Sequence, residues 1–314
     1  MNKKSDSSSS LAMKITQEAS RQTHYTIRFL ADQELVPDAY RAYAYFRWVD
    51  DCLDADICSQ AERIDFLNHQ QHLLDLCYEG RTPNTYCSEE QMLIDLVSND
   101  REENSGLKSY LYNMMAVMAF DVKRRDRAIS QAELSEYSCM LATAVTDALH
   151  YFIGRNCPAP RSEHRYFAVW GAHIIHMLRD TVEDTENGYF NIPDEYIKAQ
   201  NISFEDIDSL AYRKWVRSRI QLADLYFRDG REYIIQVKNL RCRLAGFAYT
   251  ARFEWMLQTI KNDDYFLQAV YPKRKTLKAG LWITCRTLTA MLGMYKLNRR
   301  VCKLASRKNQ REEL

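Results

Sequence analysis

The chain has 314 residues, 46% hydrophobic and 27% charged, enough to bury a large core, and its net charge is only +1. No apolar run approaches the roughly 18 to 20 residues that cross a bilayer; the best stretch, Leu277 to Leu297, is interrupted by Lys278, Arg286 and Lys296. The nine cysteines make no Cys-x-x-Cys pair and no zinc spacing, a pattern that fits reduced cytosolic thiols better than a disulfide framework.

Nine Gly and six Pro are few for this length, and the stretches between them carry helix formers. Asn-Gly hairpin signals are absent apart from Glu186-Asn187-Gly188. The expectation is an all-α chain with one domain over residues 13–304. The first twelve residues, rich in Ser with two Lys, read as a disordered tail, and 305–314 as a basic tail.

In chain order, helices are expected from Thr16 to about Leu30 and from Pro37 to about Ala55. Others cover Gln60 to Tyr78, Glu89 to Asp100 and Gly106 to Arg124. Ser130-Gln-Ala-Glu133 forms a capping box that starts a helix running to about Ile153. Pro158 and Pro160 mark a loop, and a helix from near Glu163 ends by Gly188. Phe190 to Asp208 reads as a mixed linker. Long helices at about Tyr212 to Asn239, Arg241 to Asn262 and Lys275 to Leu304 close the chain. Gly-x-Gly-x-x-Gly is absent, which argues against a Rossmann nucleotide site.

Two acidic clusters carry the chemistry. The first, Tyr43-Ala-Tyr-Phe-Arg47-Trp-Val-Asp50-Asp51-Cys52-Leu-Asp54, lacks Gly and Pro. At about 100° per residue, Tyr43, Arg47, Asp50 and Asp54 share one helix face. Cys52 reads as a small packing residue there. The second, Leu178-Arg179-Asp180-Thr-Val-Glu183-Asp184, stacks Asp180 over Asp184 one turn apart. Stacked carboxylates repel unless something positive lies between them. Two such faces across a cavity suit Mg²⁺, which prefers carboxylate oxygens and substrate phosphates. The competing reading is two solvated acidic faces.

Charge is also uneven along the chain. From Lys273 onward twelve Lys or Arg stand against two Glu, while the rest sums to −9. A basic stretch of this kind serves a membrane surface or nucleic acid, or simply a solvated helix end.

Tyr-x-x-x-Arg-x-x-Asp-Asp-x-x-Asp at 43–54, and Leu-Arg-Asp-x-x-Glu-Asp followed by Gly188 and Ile192-Pro193, resemble the squalene and phytoene synthases. Gln22-Thr-His-Tyr-Thr-Ile-Arg-Phe-Leu30 is similar to the helix by which substrate enters in that family. Phe120-Asp121, Glu133-Leu134 and Tyr137 resemble its middle helix, and Ile260-Lys-Asn-Asp-Asp-Tyr265 with Lys273-Arg-Lys275 its C-terminal part. The resemblance implies an all-α isoprenoid-synthase bundle around a deep cavity. It implies that Asp50, Asp54, Asp180 and Asp184 hold Mg²⁺, with Mn²⁺ as a substitute and Asp51 and Glu183 in support. Arg47 and Arg179 would bind phosphate oxygens, and Tyr43 would stand near the reacting carbons. Tyr137, His173 and His176 would lie along the substrate.

The implied reaction is head-to-head joining of two farnesyl or geranylgeranyl diphosphates, through a cyclopropyl intermediate, to a C30 or C40 hydrocarbon. A divergent terpene synthase and a non-catalytic isoprenoid-binding protein are the alternatives. The residues leave substrate chain length and NADPH use open. The expected partners are prenyl diphosphates and a peripheral membrane contact, not nucleic acid, and the expected location is cytoplasmic.

Four departures from the family pattern stand out. His173 and His176 replace Gln and Asn that assist the metals, and imidazole suits softer divalent ions than Mg²⁺. They are read as altered metal preference, as a proton acceptor near the cation, or as histidines hydrogen-bonded to helix neighbours. Thr143 and Thr146 replace two glycines, Asn191 a Tyr, and Tyr189 an Arg.

Overall fold

The computed structural model describes residues 3–55, 59–81, 84–155, 157, 159–271 and 276–293. Helices α1 (Lys3–Ala19), α2 (Arg21–Leu30), α3 (Val36–Leu53), α4 (Gln60–Tyr78), α5 (Glu90–Ser98) and α6 (Gly106–Arg124) form the first half. Helices α7 (Gln131–Phe152), α8 (His164–Glu186), α9 (Asp194–Gln200), α10 (Leu210–Gln236) and α11 (Leu240–Asn262) form the second, and α12 spans 277–293. Among the described residues there is no strand, only an isolated bridge between Arg127 and Tyr189. No described helix is long and apolar enough to cross a membrane.

The helix boundaries follow local chemistry. Ser130 and Glu133 make the expected capping box: the Ser130 hydroxyl accepts from the Glu133 amide at 3.1 Å, and Glu133 accepts from the Ser130 amide at 2.8 Å. This fixes the start of α7 and thereby the position of Tyr137. The expected helix from Thr16 to Leu30 is instead two. Ser20 is extended, accepts from the Thr23 amide at 3.2 Å and so caps α2.

The serine-rich start is not a disordered tail. It is helical from Lys3, with Ser8, Ala12 and Thr16 buried at successive four-residue steps. These small side chains let α1 pack on α3. The Ser8 hydroxyl donates to Asp95 at 2.5 Å and accepts from Arg41 Nε at 3.0 Å. Polar composition concealed this face because its burial rests on hydrogen bonds rather than large apolar groups. The linker expected over Phe190 to Asp208 contains α9. The basic tail at 305–314 lies outside the described residues.

Two buried clusters hold the bundle. One joins α3 to α6 through Tyr45, Leu74, Met92, Leu96, Leu111 and Met115. The other packs α8, α10 and α11 through Ile175, Leu178, Val216, Ile220, Phe227 and Leu257. Helix α8 is central to the second half, lying against α7, α10 and α11. Its contact with α10 is close: a Cβ on Gly230 would come within 2.6 Å of the Ala168 amide nitrogen. Between α7, α8, α10 and α11 runs an apolar pocket of about 40 Å³, lined by Val145, Leu149, Val169, Ile234, Val237 and Tyr249 among others.

Candidate active site

The first acidic face projects from the end of α3. Asp54 is the residue after the last turn, and its amide donates to the Asp50 carbonyl at 2.9 Å. The second lies in the last two turns of α8. Helix α6 supplies what stands between them. Asp121, in its last turn, is raised by burial, opposed by Arg124, and raised further by Asp54. Asp50 is pushed up to about 6 by burial, then by Asp54, with Arg47 opposing and Asp121 adding to the rise. Asp184 is likewise pushed up to about 6 by burial, with Asn191 opposing and both Asp180 and Asp121 adding to it. Asp121 therefore acts on carboxylates of both motifs. Such a set resists full ionisation, and added positive charge is what would relieve it.

A network fixes this geometry. Arg124 is buried, and its Nε donates to Asp121 at 2.7 Å. Its Nη1 donates to Asn191 Oδ1 at 2.9 Å. Asn191 in turn donates from Nδ2 to Asp184 at 2.6 Å. The Tyr137 hydroxyl donates to the other oxygen of Asp121 at 3.1 Å. The guanidinium also lies over the rings of Tyr137 and Tyr189, 5.1 and 5.0 Å from their centroids. Gly188 makes the return from α8 possible. Its φ is +80°, and a side chain there would collide with Asp126. Its carbonyl accepts from the Asp126 amide at 2.8 Å, which brings Tyr189 and Asn191 back over α6.

The remaining motif residues divide into two groups. Arg47 pairs with Asp51 and lies 3.6 Å from Asp50, so Asp51 is held by its own helix neighbour. Arg179 pairs with Asp180, and His176 Nε2 lies 3.0 Å from the same carboxylate. Burial raises Asp180, but the hydrogen bonds from His176 and Arg179 outweigh it and bring the group well below the usual carboxylate range. Glu183 is exposed, and its side chain joins none of these contacts. Tyr43 is half-buried near Arg252 and Arg47. His173 is turned away from the carboxylates. It is buried, its Nδ1 lies 3.1 Å from Ser138 Oγ on α7, and its ring packs edge-on to Tyr137. Burial, with the nearby His176, Arg124 and Arg219, lowers it to about 3, so it is neutral.

Sequence reading missed Arg124, Asn191 as a bridge, Arg252 and Arg21, and saw Asp121 only as part of a middle helix. The spacing of Asp121 and Arg124, three apart, could have suggested an ion pair. Nothing local links Arg124 to Asn191, 67 residues later. Arg21, Arg179 and Arg252 line one pocket of about 540 Å³, with Phe253, Met256 and Ile283 on its apolar side. Arg252 is lowered by burial and by Arg179, so two guanidiniums repel here and favour an anion. Among the described residues no three His, Cys, Asp or Glu side chains converge closely enough to enclose one ion by themselves. The raised carboxyls of Asp50, Asp54 and Asp184 nonetheless fit a hard cation completed by phosphate oxygens.

An all-helical bundle with two acidic helix ends, a cationic pocket beside them and an apolar pocket behind is the architecture of an isoprenoid synthase. The model of the squalene/phytoene synthase family matches residues 16–278, and the chain belongs to that family. Squalene synthase HpnC from Alicyclobacillus acidocaldarius is 14% identical and superposes with a TM-score of 0.68 over 85% of this chain and 98% of its own. A dehydrosqualene synthase solved with a ligand is 14% identical, with a TM-score of 0.69 over 94% of this chain and 98% of its own. TcSQS with the ligand E5700 is 16% identical, with a TM-score of 0.68 over 92% and 89%. At such identities the likeness establishes the fold. No curated protein matches significantly by sequence.

Proposed function

We propose that this protein joins two isoprenyl diphosphates, farnesyl or geranylgeranyl, head to head through a cyclopropyl intermediate to a C30 or C40 hydrocarbon. The observation that carries this reading is the convergence of both acidic motifs on Asp121 beside the pocket of Arg21, Arg179 and Arg252. Asp50, Asp54, Asp180 and Asp184 would hold Mg²⁺, or Mn²⁺ in its place. When bound, such ions neutralise the charge that develops on a departing diphosphate. Asp51 and Glu183 take supporting places, Asp51 through Arg47.

The chain's own residues supply the rest. Arg179, Arg252 and Arg21 bind diphosphate oxygens, and Arg47 does so once released from Asp51. Their fixed charges oppose the build-up of negative charge as the C–O bond lengthens. Arg124 and Asn191 hold Asp121 and Asp184 in place. Tyr137, stacked on Phe120 with centroids 4.9 Å apart and covered by Arg124, positions Asp121 through its hydroxyl. The apolar wall of α7, α8, α10 and α11 would keep water from a carbocation.

A divergent product is the second reading, favoured by one observation. Thr146, where the family carries Gly, lines the pocket between those helices, and its buried hydroxyl has no hydrogen-bond partner among the described residues. Incubation with farnesyl and geranylgeranyl diphosphates, with and without NADPH, followed by mass analysis of extracted product, separates the readings. A C30 or C40 hydrocarbon supports the first, and another product mass the second. Failure to release diphosphate in the presence of Mg²⁺ overturns both.

A further inference from the structure

Helix α12 has two unlike faces. At about 100° per residue, Leu277, Leu281, Leu288 and Leu292 fall within an arc of about 60°. All four are exposed, at 82, 59, 53 and 66%. The stripe runs for about 22 Å at 1.5 Å per residue. On the opposite side Ala279 and Thr287 are buried, Ala290 and Met291 pack on the first core cluster, and Arg286 donates to Glu254 of α11 at 2.8 Å. The leucines lie outside, while Trp282 packs against Trp255 of α11 with ring centroids 5.4 Å apart.

Four aligned, exposed leucines need a cover, and charge indicates which. Residues 277–293 contain no Asp or Glu and two basic residues, Lys278 and Arg286, the second held to Glu254 of α11. The whole segment from Lys273 onward carries twelve basic residues and two acidic ones. A second α12 would bring like charge against like charge. An anionic lipid surface offers opposite charge to the basic groups and an apolar layer to the leucines. Ile283, on the bundle side of the same helix, lines the pocket of Arg179 and Arg252. Helix α12 thus walls the proposed diphosphate pocket with one face and leaves the other unpartnered.

We propose that α12 docks this protein on the surface of an anionic bilayer through Leu277, Leu281, Leu288 and Leu292, with the diphosphate pocket immediately behind the docked helix. The helix lies in the interface plane and does not span it. The link to catalysis rests on the proposed function, because an insoluble hydrocarbon has to leave into lipid; the binding itself does not depend on it.

The test is vesicle flotation with the full chain. Vesicles of phosphatidylcholine alone are compared with vesicles containing about 30% phosphatidylglycerol, at low and high salt. The full chain is expected to float with the anionic vesicles and to be released by salt. The double variant Leu281→Asp/Leu288→Asp, with unchanged circular dichroism, is expected to lose binding about tenfold or more. Its diphosphate release from detergent-dispersed substrate should stay unchanged, so failure of docking and failure of the catalytic reading are separate results. Equal flotation of the double variant, or indifference to anionic lipid, overturns the proposal. So does a dimer in sedimentation that this variant dissociates without any vesicle binding, since the stripe would then be a contact between copies.

Discussion

The acidic mouth of the bundle and the pocket behind it disfavour charge in opposite ways. At the mouth, Asp50 and Asp184 stand at about 6 because burial and neighbouring carboxylates resist their ionisation. Behind it, burial and Arg165 lower His150 to about 4, and burial pushes the Cys242 thiol up to about 12, so both are neutral. His150 shares a 3.0 Å hydrogen bond with the Tyr233 hydroxyl, and Arg165 of the same lining is paired with Asp147 at 2.8 Å. The mouth is thus built with charge that a ligand has to balance. The interior is built to be balanced without one.

The largest effects should come from the mouth. Asp50→Ala, Asp54→Ala, Asp180→Ala and Asp184→Ala are each expected to lower kcat by about 10² to 10³, with the helical circular dichroism retained. Two of these variants with unchanged kcat would remove the metal assignment. Asp121→Asn should cost less, about 10- to 100-fold by the same electrostatic reasoning, because it perturbs both motifs from between them. Loss confined to KM would place Asp121 in substrate binding instead.

Next in size is the pH dependence of stability. A raised carboxyl favours the protonated folded state. Its stabilising contribution is complete below the unfolded value of about 3.9 and is lost as pH rises through about 6. Asp50 and Asp184 therefore weaken the metal-free protein above pH 6, where bound cation relieves them. Mg²⁺ should raise Tm more at pH 7.5 than at pH 5, as measured by thermal melts with Mg²⁺ or chelator. The same increment at both values would detach Mg²⁺ from these carboxylates.

His176 sharpens the comparison within the second motif, where its contact with Asp180 is the only one between a motif imidazole and a motif carboxylate among the described residues. His176→Asn is expected to change the ratio of Mn²⁺- to Mg²⁺-supported rates several-fold, whereas a constant ratio would leave it a helix neighbour only. The smallest effect belongs to the interior. Thr146→Val removes an unpartnered hydroxyl at nearly constant volume, so stability should hold or rise by about 1 kcal/mol. A clear loss in thermal or urea melts would show that the hydroxyl has a partner in solution.

What the sequence determined by itself was local. Scarce Gly and Pro, capping residues and charges at helical spacing are properties of neighbours a few positions apart. They made the helical class, the α7 capping box and both acidic faces legible. Tertiary structure decided what depends on distant contacts. It chose Asp121 and Arg124 to stand between the motifs, joined them through Asn191, turned His173 to Ser138, and left His176 on Asp180. It folded the serine-rich start into α1 because Arg41 and Asp95, far along the chain, satisfy Ser8. It also turned the leucines of α12 outward. Hydrophobic periodicity tells which residues share a face; only the packed bundle tells whether that face meets a neighbour.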